Sequence, residues 1–303
     1  MGEYFRRFWQ PVALSRELAS PDCPPIRVRV MGEELVAFRD TEGRVGLIEP
    51  HCAHRGADLF FGRSEECGIR CVYHGWKYDV SGRCVDLPNV PPGSGYHEKI
   101  SINAYPTREF SEIVWAYLGT PQHMPESPPQ LEFGMLPPAH RYVTKRLQEC
   151  NWAHSMEGAL DTAHFSFLHM PAPSVASNGN ADVAADERWL RNDPMPQFTV
   201  LEHDVGFIVG GSRRADGRDL YWRITQFMLP AHSITPSAMP GEIYYGYTWV
   251  PISDEHAGST SMHGIRIGRS PRRSGPDSTR AGTVRWPNWV LDACRCATAL
   301  ATS

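Results

Sequence analysis

The stretch from His51 to Asp79 reads HCAHRGADLFFGRSEECGIRCVYHGWKYD, and it decides how the chain is interpreted. It contains two short pairs of potential metal ligands, each made of one cysteine and one histidine. The first pair is Cys52 and His54, and the second is Cys71 and His74, with sixteen residues between the pairs. Thiolates and imidazoles are ligands for zinc, copper and iron centres. The pattern therefore predicts one metal centre that is held by two loops.

Two thiolates and two imidazoles form the ligand set of a Rieske [2Fe–2S] cluster, in which the thiolates hold one iron and the imidazoles hold the other. Each loop would then donate one ligand to each iron. Two alternatives stay open: a tetrahedral zinc site, and four unrelated residues that are close by chance. Zinc fingers typically pair cysteine with cysteine and histidine with histidine, and the one-residue gap between Cys52 and His54 does not match their spacing. The spacing favours the cluster.

The residues near the ligands refine this interpretation. Gly56 and Gly75 each follow a ligand histidine closely, where a loop that wraps a cluster often requires a positive φ. Rieske proteins of respiratory complexes look similar, but they carry an extra cysteine in each ligand loop, and the two are joined as a disulfide. Ala57 and Tyr73 occupy the matching positions here. We therefore expect the oxygenase or ferredoxin type of domain.

Length and composition limit the class of protein. The chain has 303 residues and a formal net charge of −4 at pH 7, so neither nucleic acid nor an anionic membrane is an expected partner. No apolar run approaches the ~20 residues that a membrane-spanning helix needs, and the N-terminal segment lacks the apolar core of a signal peptide. Eight cysteines are few for this length, which favours reduced thiols. We expect a soluble, cytoplasmic protein.

Short strands between turns predict an all-β first domain. Residues 26–30 alternate apolar and charged side chains, which is typical of a strand with one buried face. Residues 34–38 and 45–48 indicate the next two strands, and the domain is expected to end at residue 118. The order of the later strands indicates an antiparallel meander. These later strands are predicted at residues 142–147, 198–210, 220–229 and 243–250.

A second group of polar side chains lies in residues 150–169, CNWAHSMEGALDTAHFSFLH. Asp161 and His164 are three residues apart, so on one helix they would share a face. His169 is five residues further, a rotation of ~140° that would keep the imidazoles apart on an ideal helix. Either the helix ends between the histidines or it contains a π-type bulge. Two histidines and one carboxylate form the facial triad of non-haem Fe(II) oxygenases, although histidines in an amphipathic segment are more often surface or core residues.

The chain resembles the large, oxygenase subunit of Rieske non-haem iron ring-hydroxylating oxygenases, most of all the phthalate 4,5-dioxygenase-like branch. The resemblance rests on PDCPPIRVRVMGEELVAFRDTEGRVGL, FFGRSEECGIRCVYHGWKYDVSGRCVDLPN and ECNWAHSMEGALDTAHFSFLH. It implies an α+β protein, with an all-β Rieske domain followed by a helix-grip catalytic domain with an antiparallel sheet. We accordingly divide the chain into a Rieske domain with its N-terminal segment (1–118), a catalytic mononuclear-iron domain (119–268) and an atypical tail (269–303).

The resemblance also implies roles for residues of the second stretch. His164 and His169 would bind mononuclear Fe(II), and Asn151 would lie near the iron. Asp161 would connect an iron ligand, through hydrogen bonds, with a cluster histidine of a neighbouring subunit in a homotrimer or a multiple of it. A partner reductase would deliver electrons from NAD(P)H to the [2Fe–2S] cluster. The expected reaction uses O₂ to hydroxylate, or oxidatively demethylate, an aromatic substrate.

The polarity of the substrate is indicated by an arginine in a predicted strand. Arg223 shares one face of that strand with Tyr221, Thr225 and Phe227. An arginine on a partly aromatic face could hold a carboxylate through two parallel hydrogen bonds, so the expected substrate is an aromatic carboxylate. The Arg213–Arg214 pair could assist from the preceding turn. The alternative for all of these arginines is a solvent-facing or salt-bridged side chain.

The last part of the chain departs from the family. The family places its third iron ligand, an aspartate, on a helix beyond the sheet, but the chain after Ile267 is rich in Arg, Ser, Pro and Gly. Asp292 is the one late aspartate in a plausible helix and a weak candidate, and Cys294 and Cys296 are expected to be incidental. The C-terminus is interpreted as divergent, truncated or translated in a shifted frame. An electron-carrying or vestigial Rieske protein without oxygenase activity therefore stays open as the alternative function.

Overall fold

The computed structural model describes residues 2–91, 93–169, 188–236 and 242–265. The weak ligand candidate Asp292 and the two late cysteines lie outside these residues. A short helix, α1 (Gly2–Arg6), precedes the first strand.

Three small antiparallel sheets build the first part of the chain, in the strand orders β1-β11-β10, β2-β3-β4-β9 and β5-β6-β7-β8. The strands are β1 (Trp9–Leu14), β2 (Ile26–Val30), β3 (Glu33–Arg39), β4 (Val45–Ile48), β5 (Arg63–Glu65), β6 (Gly68–Arg70), β7 (Lys77–Tyr78), β8 (Cys84–Asp86), β9 (Ala104–Tyr105), β10 (Thr107–Phe110) and β11 (Ile113–Tyr117). Between or after them lie the 3₁₀ turns Ser15–Leu18, Leu59–Phe61, Tyr96–Lys99, Pro121–His123, Glu132–Met135 and Pro138–His140.

The alternating pattern of residues 26–30 has the predicted physical basis. Val28 and Val30 are buried, whereas Arg27 and Arg29 are exposed. Since successive side chains of a strand point to opposite faces, β2 contributes its valines to the core and its arginines to the surface. The strand predictions for residues 26–30, 34–38 and 45–48 are confirmed.

One seven-stranded antiparallel sheet builds the second part, in the order β12-β18-β17-β16-β15-β14-β13. The strands follow one another as a meander, except that the first strand pairs with the last. Helix α2 (Trp152–Leu160) and a 3₁₀ turn (His164–Ser166) lie between the first two strands in the sequence. The strands are β12 (Arg141–Gln148), β13 (Gln197–His203), β14 (Gly206–Arg214), β15 (Leu220–Met228), β16 (His232–Thr235), β17 (Glu242–Pro251) and β18 (Ala257–Ile265).

The predicted fold class is confirmed, but individual strands differ. Residues 198–210 were predicted as one strand and instead form parts of β13 and β14, which pair as a hairpin around a turn at residues 204–205. Asp204 and Gly206 favour this turn, since Asp suits turns and Gly tolerates close backbone approach. The sequence analysis also missed β16 and β18, which lack a clear apolar alternation.

The two faces of the seven-stranded sheet have different neighbours. On one face, Val143 and Ile234 pack against Trp9, Trp115 and Tyr117 of the first part. On the opposite face, which we call the helix face, apolar residues of α2 pack against the sheet. The residues of this second cluster include Trp152, Met156, Ala159, Tyr247 and Trp249. One face of the sheet therefore packs on the first part, whereas its helix face carries α2 and the turn that follows it, with Phe5 of the first part in the same cluster.

Within the described ranges, the structure contains no helix with the length and apolar character needed to cross a membrane.

The burial of two leucines gives a test of this fold. Leu47 in β4 is 0% exposed, whereas Leu147 in β12 is 65% exposed. Leu47→Ala should lower the free energy of unfolding by about 2–5 kcal/mol, because it leaves a cavity in the core. Leu147→Ala should change it by no more than about 0.5 kcal/mol. Urea unfolding followed by tryptophan fluorescence measures both, and equal effects would contradict this packing.

Candidate metal sites

The two predicted ligand loops have the same backbone hydrogen-bond pattern. In each loop the cysteine N–H donates to the carbonyl five residues later, and the N–H of the glycine donates back to the cysteine carbonyl. The bonds run from Cys52 N to Ala57 O (2.9 Å), Gly56 N to Cys52 O (2.8 Å), Cys71 N to Trp76 O (2.8 Å) and Gly75 N to Cys71 O (3.1 Å). The two glycines have φ values of +67° and +78°, as expected where other residues would be strained.

These loops bring the four predicted ligands together. The rings of His54 and His74 lie 4.5 Å apart between centroids. Cys52 and Cys71 are each 3% exposed, and their thiols interact with each other. The thiols therefore lie on the protein side of the site, and the partly exposed imidazoles lie on the solvent side.

The chemistry of these residues fits a metal cluster. Nδ1 of His74 is buried and has no hydrogen-bond partner. Burying an unpaired polar atom is unfavourable, and a metal ion bound at this nitrogen would remove the penalty. Burial raises the pKa of the Cys71 thiol, and Cys52 adds to the rise. Burial also lowers the pKa of His54, with a further contribution from His74. A bound metal ion would reverse the effect on the thiols, since coordinating thiols are deprotonated, and neutral imidazole is the form that binds metals.

The zinc alternative receives no support from the geometry. In the ranges that the structure describes, no three His, Cys, Asp or Glu side chains converge on one point as ligands of a single metal ion. A structural zinc site requires four ligands around one ion. A two-iron cluster requires only two protein ligands for each iron, so the arrangement favours the cluster.

Tyr78 contacts the first ligand loop, a role that the sequence analysis missed although the residue lies in the quoted stretch. Its hydroxyl accepts a hydrogen bond from Ala53 N (3.1 Å) and lies 3.2 Å from Cys52 Sγ. Burial, with a further contribution from Cys52, raises the pKa of Tyr78, which keeps the phenol protonated. The hydroxyl can therefore donate its proton to the sulfur.

Arg70 supports the second loop and was also missed. Its Nη1 donates to the Gly75 carbonyl and to Asp86, both at 2.7 Å. Its Nε donates to Glu65. The partly buried guanidinium thus connects the glycine of the ligand loop to Glu65 on β5 and Asp86 on β8. In the sequence, only the position of Arg70 directly before Cys71 could have indicated this role.

The predicted helix around Asp161 and His164 is corrected by the structure. The α-helix ends at Leu160, before both residues, and Asp161 has an extended ψ of 135°. Its carboxylate instead accepts hydrogen bonds from Ala163 N (2.8 Å) and His164 N (3.0 Å). An aspartate that bonds the backbone just ahead of it competes with helix continuation. The break therefore precedes both histidines rather than falling between them.

The same aspartate orients the first histidine. Asp161 Oδ2 lies 2.7 Å from His164 Nδ1, which leaves Nε2 of this ring as the free nitrogen. Burial alone raises the pKa of Asp161, but hydrogen bonds from Ala163 and His164 outweigh it, and the pKa is lowered. A carboxylate that fixes the second nitrogen of an imidazole is the usual support of a metal-binding histidine.

The two histidines of this segment do approach each other. The ring centroids of His164 and His169 are 5.0 Å apart, because the chain leaves the α-helix before His164 and forms a 3₁₀ turn. Burial lowers the pKa of His169, and the charges of His164 and Arg223 lower it further. His169 is therefore held toward the neutral form that binds metals.

Arg223 lies beside this pair on the helix face of the sheet. It is 7% exposed, and its guanidinium lies 3.9 Å from the centroid of Phe165. Nη1 donates to the Tyr221 hydroxyl (3.2 Å), whereas Nε and Nη2 are buried without a partner. Of the two assisting arginines, Arg213 is also buried, but Arg214 is exposed and pairs with Asp193. The alternative of a surface salt bridge is thus correct for Arg214.

Asn151 is placed away from the histidine pair. Its side chain caps the start of α2 by accepting a hydrogen bond from Ala153 N (2.9 Å), and its amide donates to Asp254 O (2.8 Å). Asp161 follows the other end of this nine-residue helix, roughly 14 Å away at 1.5 Å per residue. The structure gives Asn151 a capping role, and its catalytic role stays a prediction.

Comparison with known families identifies both parts of the chain. A family model described as the Rieske [2Fe-2S] domain matches residues 8–106. A second, described as LigXa C-terminal domain like, matches residues 116–270, just over half of the chain. The chain belongs to the Rieske oxygenase family. The predicted family and its [2Fe–2S] domain are confirmed.

Individual relatives of this chain are longer. The phthalate 4,5-dioxygenase oxygenase subunit of Pseudomonas putida is 40% identical over 269 residues, covering 84% of this chain and 58% of the relative. The 3-chlorobenzoate-3,4-dioxygenase oxygenase subunit of Comamonas testosteroni is 37% identical over 258 residues, with 84% and 58% covered. A crystal structure of dicamba monooxygenase with non-heme iron and dicamba has the same fold, with a TM-score of 0.63 at 17% identity over 88% of this chain and 78% of that one. The chain thus spans less than three fifths of the two curated relatives.

Two tyrosines near the cluster ligands allow a matched test. Tyr78→Phe removes the hydroxyl beside Cys52 Sγ, and hydrogen bonds to cluster ligands raise the reduction potential. We expect the potential to fall by tens of millivolts, as measured by a redox titration that is followed by visible circular dichroism. Tyr73→Phe, at a residue that is 62% exposed, should leave the potential unchanged. An unchanged potential in Tyr78→Phe would contradict the proposed hydrogen bond.

Proposed function

We propose that this chain is the oxygenase component of a multicomponent Rieske system. It would accept electrons that a partner reductase takes from NAD(P)H, and use O₂ to hydroxylate or oxidatively demethylate an aromatic carboxylate. The observation that carries the proposal is the histidine pair beside a buried arginine, Arg223, two of whose three guanidinium nitrogens have no partner. This arrangement joins two iron ligands to a recognition group for an anion.

The first set of residues in the proposal receives electrons. Cys52, Cys71, His54 and His74 would hold a [2Fe–2S] cluster, which supplies one-electron transfer when it is bound. Tyr78 would stabilise the charge on Cys52 by its hydrogen bond. The partly exposed imidazoles of this site face the side from which an electron donor can approach.

The second set of residues positions the reaction. His164 and His169 would hold Fe(II), which supplies O₂ chemistry when it is bound at a site with open positions. Asp161 would keep the proton of His164 on Nδ1. The side chain of Asp161 is 40% exposed, which leaves carboxylate surface available for a cluster histidine of a neighbouring subunit, in support of the proposed homotrimer.

The third part of the proposal concerns substrate recognition. The two unpartnered nitrogens of Arg223 could donate to both oxygens of one carboxylate. The ring of Phe165, in contact with the guanidinium on one side and stacked on His169 on the other, contributes an aromatic surface next to the iron ligands. A substrate carboxylate at Arg223 would therefore hold the aromatic ring near the histidine pair.

The domain division belongs to the same proposal. The family matches at residues 8–106 and 116–270 support the predicted boundary near residue 118. The localisation in the cytoplasm, the reductase partner and the assembly as a homotrimer or a multiple of it stay predictions.

Iron content tests the proposed function directly. Protein purified without oxygen should contain about three irons per chain, two in the cluster and one at the histidine pair. With a reductase, NADH and a phthalate-like aromatic acid, it should consume O₂ and release a hydroxylated or demethylated product that mass spectrometry detects.

The alternative function has a different signature in the same samples. An electron carrier without oxygenase activity would contain about two irons per chain and would be reduced by the reductase without forming a product. Among the described residues, no third His, Cys, Asp or Glu side chain joins the histidine pair as an iron ligand, and the two-iron outcome is therefore measured in the same samples. It would contradict the oxygenase proposal and leave the cluster ligands unaffected.

Arg223 offers a separate test of substrate recognition. Arg223→Met should lower kcat/KM for an aromatic carboxylate about tenfold to hundredfold, because a charge-assisted hydrogen bond contributes about 1.5–3 kcal/mol. The effect should be much smaller for the neutral amide analogue of the same aromatic acid. Arg214→Met is the matched control, since Arg214 is exposed and paired with Asp193. An equal loss for the acid and the amide would exclude Arg223 as the carboxylate anchor.

A further inference from the structure

We propose that Arg213 is a positioning residue for the second iron site, and that it acts through Thr162. Arg213 would hold the turn that carries Asp161 and His164 against the sheet. This inference rests on the proposed function, in which His164 and His169 bind iron.

Arg213 is committed to the turn by its contacts. It lies in β14 and is 1% exposed, and Thr162 is 2% exposed. Nη2 donates to the backbone carbonyl of Thr162 (2.5 Å), and Nη1 donates to its hydroxyl (3.3 Å). Thr162 directly follows Asp161 and lies inside the turn that the Asp161 carboxylate closes with Ala163 N and His164 N. A displaced Thr162 would therefore carry the carboxylate and the imidazole with it.

A second, independent feature of the sheet serves the same contact. Gly211 lies two residues before Arg213 on the same strand face, and a Cβ atom at this position would overlap the methyl group of Thr162. The absence of a side chain lets the turn approach the sheet until the guanidinium can reach the carbonyl. Gly211 and Arg213 thus form one contact surface for Thr162, which we call the Thr162 seat.

The charge of Arg213 indicates that this contact is more than packing. Burial and the neighbouring positive charge of Arg223 lower the pKa of Arg213. The charged form of Arg213 is therefore destabilised at this position. An apolar side chain would fill the same space without this cost. Its Nε is also buried without a partner. Arg213 is a buried cation that donates hydrogen bonds to the backbone of the turn beside the proposed iron ligands. Residues that orient metal ligands from outside the coordination sphere make contacts of this kind.

The first test measures Fe(II) binding by the whole 303-residue chain, with its cluster intact and its second site emptied by a chelator. Arg213→Met should weaken Fe(II) affinity about tenfold, the size of effect expected for loss of an outer support of a ligand. Arg213→Lys keeps one donor for the Thr162 carbonyl and should recover part of the affinity. Arg214→Met changes the adjacent, exposed arginine and should bind Fe(II) as the unchanged protein does.

A second pair of variants tests the seat without altering any charge. Gly211→Ala should displace Thr162 and weaken Fe(II) binding in the same direction as Arg213→Met. Gly210→Ala is the matched control, because its Cβ would crowd Trp222 on the opposite face of the strand. The visible spectrum of the [2Fe–2S] cluster, measured in each sample, reports whether the rest of the protein has folded.

The outcomes separate the two proposals. Fe(II) binding by the unchanged protein, weakened in Arg213→Met and Gly211→Ala but not in the two controls, supports the positioning role. Equal binding by the unchanged protein and all of its variants, or equal losses in the variants and their controls, would overturn it and leave the proposed function standing. No Fe(II) binding by the unchanged protein would overturn the proposed function itself.

Discussion

The register between β14 and β15 is the constraint on which the second site depends. Gly211 lies opposite Arg223, and Arg213 lies opposite Tyr221, so these side chains share one face of the sheet. A slip of one residue between the two strands would put Arg213 and Arg223 on opposite faces of the sheet. The helix face would then lose either Arg223, or Arg213 together with the space for Thr162. The register therefore determines the charge of the site as well as its shape.

Two buried cations on one face need a physical reason, because burying a charge is costly unless it is compensated. The compensation differs between them. Arg213 uses the dipoles of the Thr162 carbonyl and hydroxyl, which are part of the protein. Arg223 uses the face of Phe165 and one tyrosine hydroxyl, and it retains two unpartnered nitrogens. This difference separates a residue that supports the site from a residue that is available to a ligand.

The sequence was sufficient where the relevant interactions are local. The spacing of Cys52, His54, Cys71 and His74 predicted the two loops because each loop closes through hydrogen bonds within six residues. The boundary of α2 was wrong because periodicity cannot show that the Asp161 side chain bonds the backbone ahead of it. The role of Arg213 could not be predicted from the sequence, since its partner Thr162 lies 51 residues away and the contact depends on strand register.

This contrast between local and long-range interactions also bears on function. The cluster site draws its ligands and its closing hydrogen bonds from one continuous stretch, with Tyr78 and Arg70 inside the same stretch. The second site combines the turn after α2 with side chains from two later strands, and its register must be correct before the residues meet. Loss of packing in the second part would therefore disturb the histidine pair and the arginines while the ligand loops stay closed. In the proposed function, the first part would serve electron transfer and the helix face would serve oxygenation, so oxygenation would be the more sensitive of the two to mispacking of the second part.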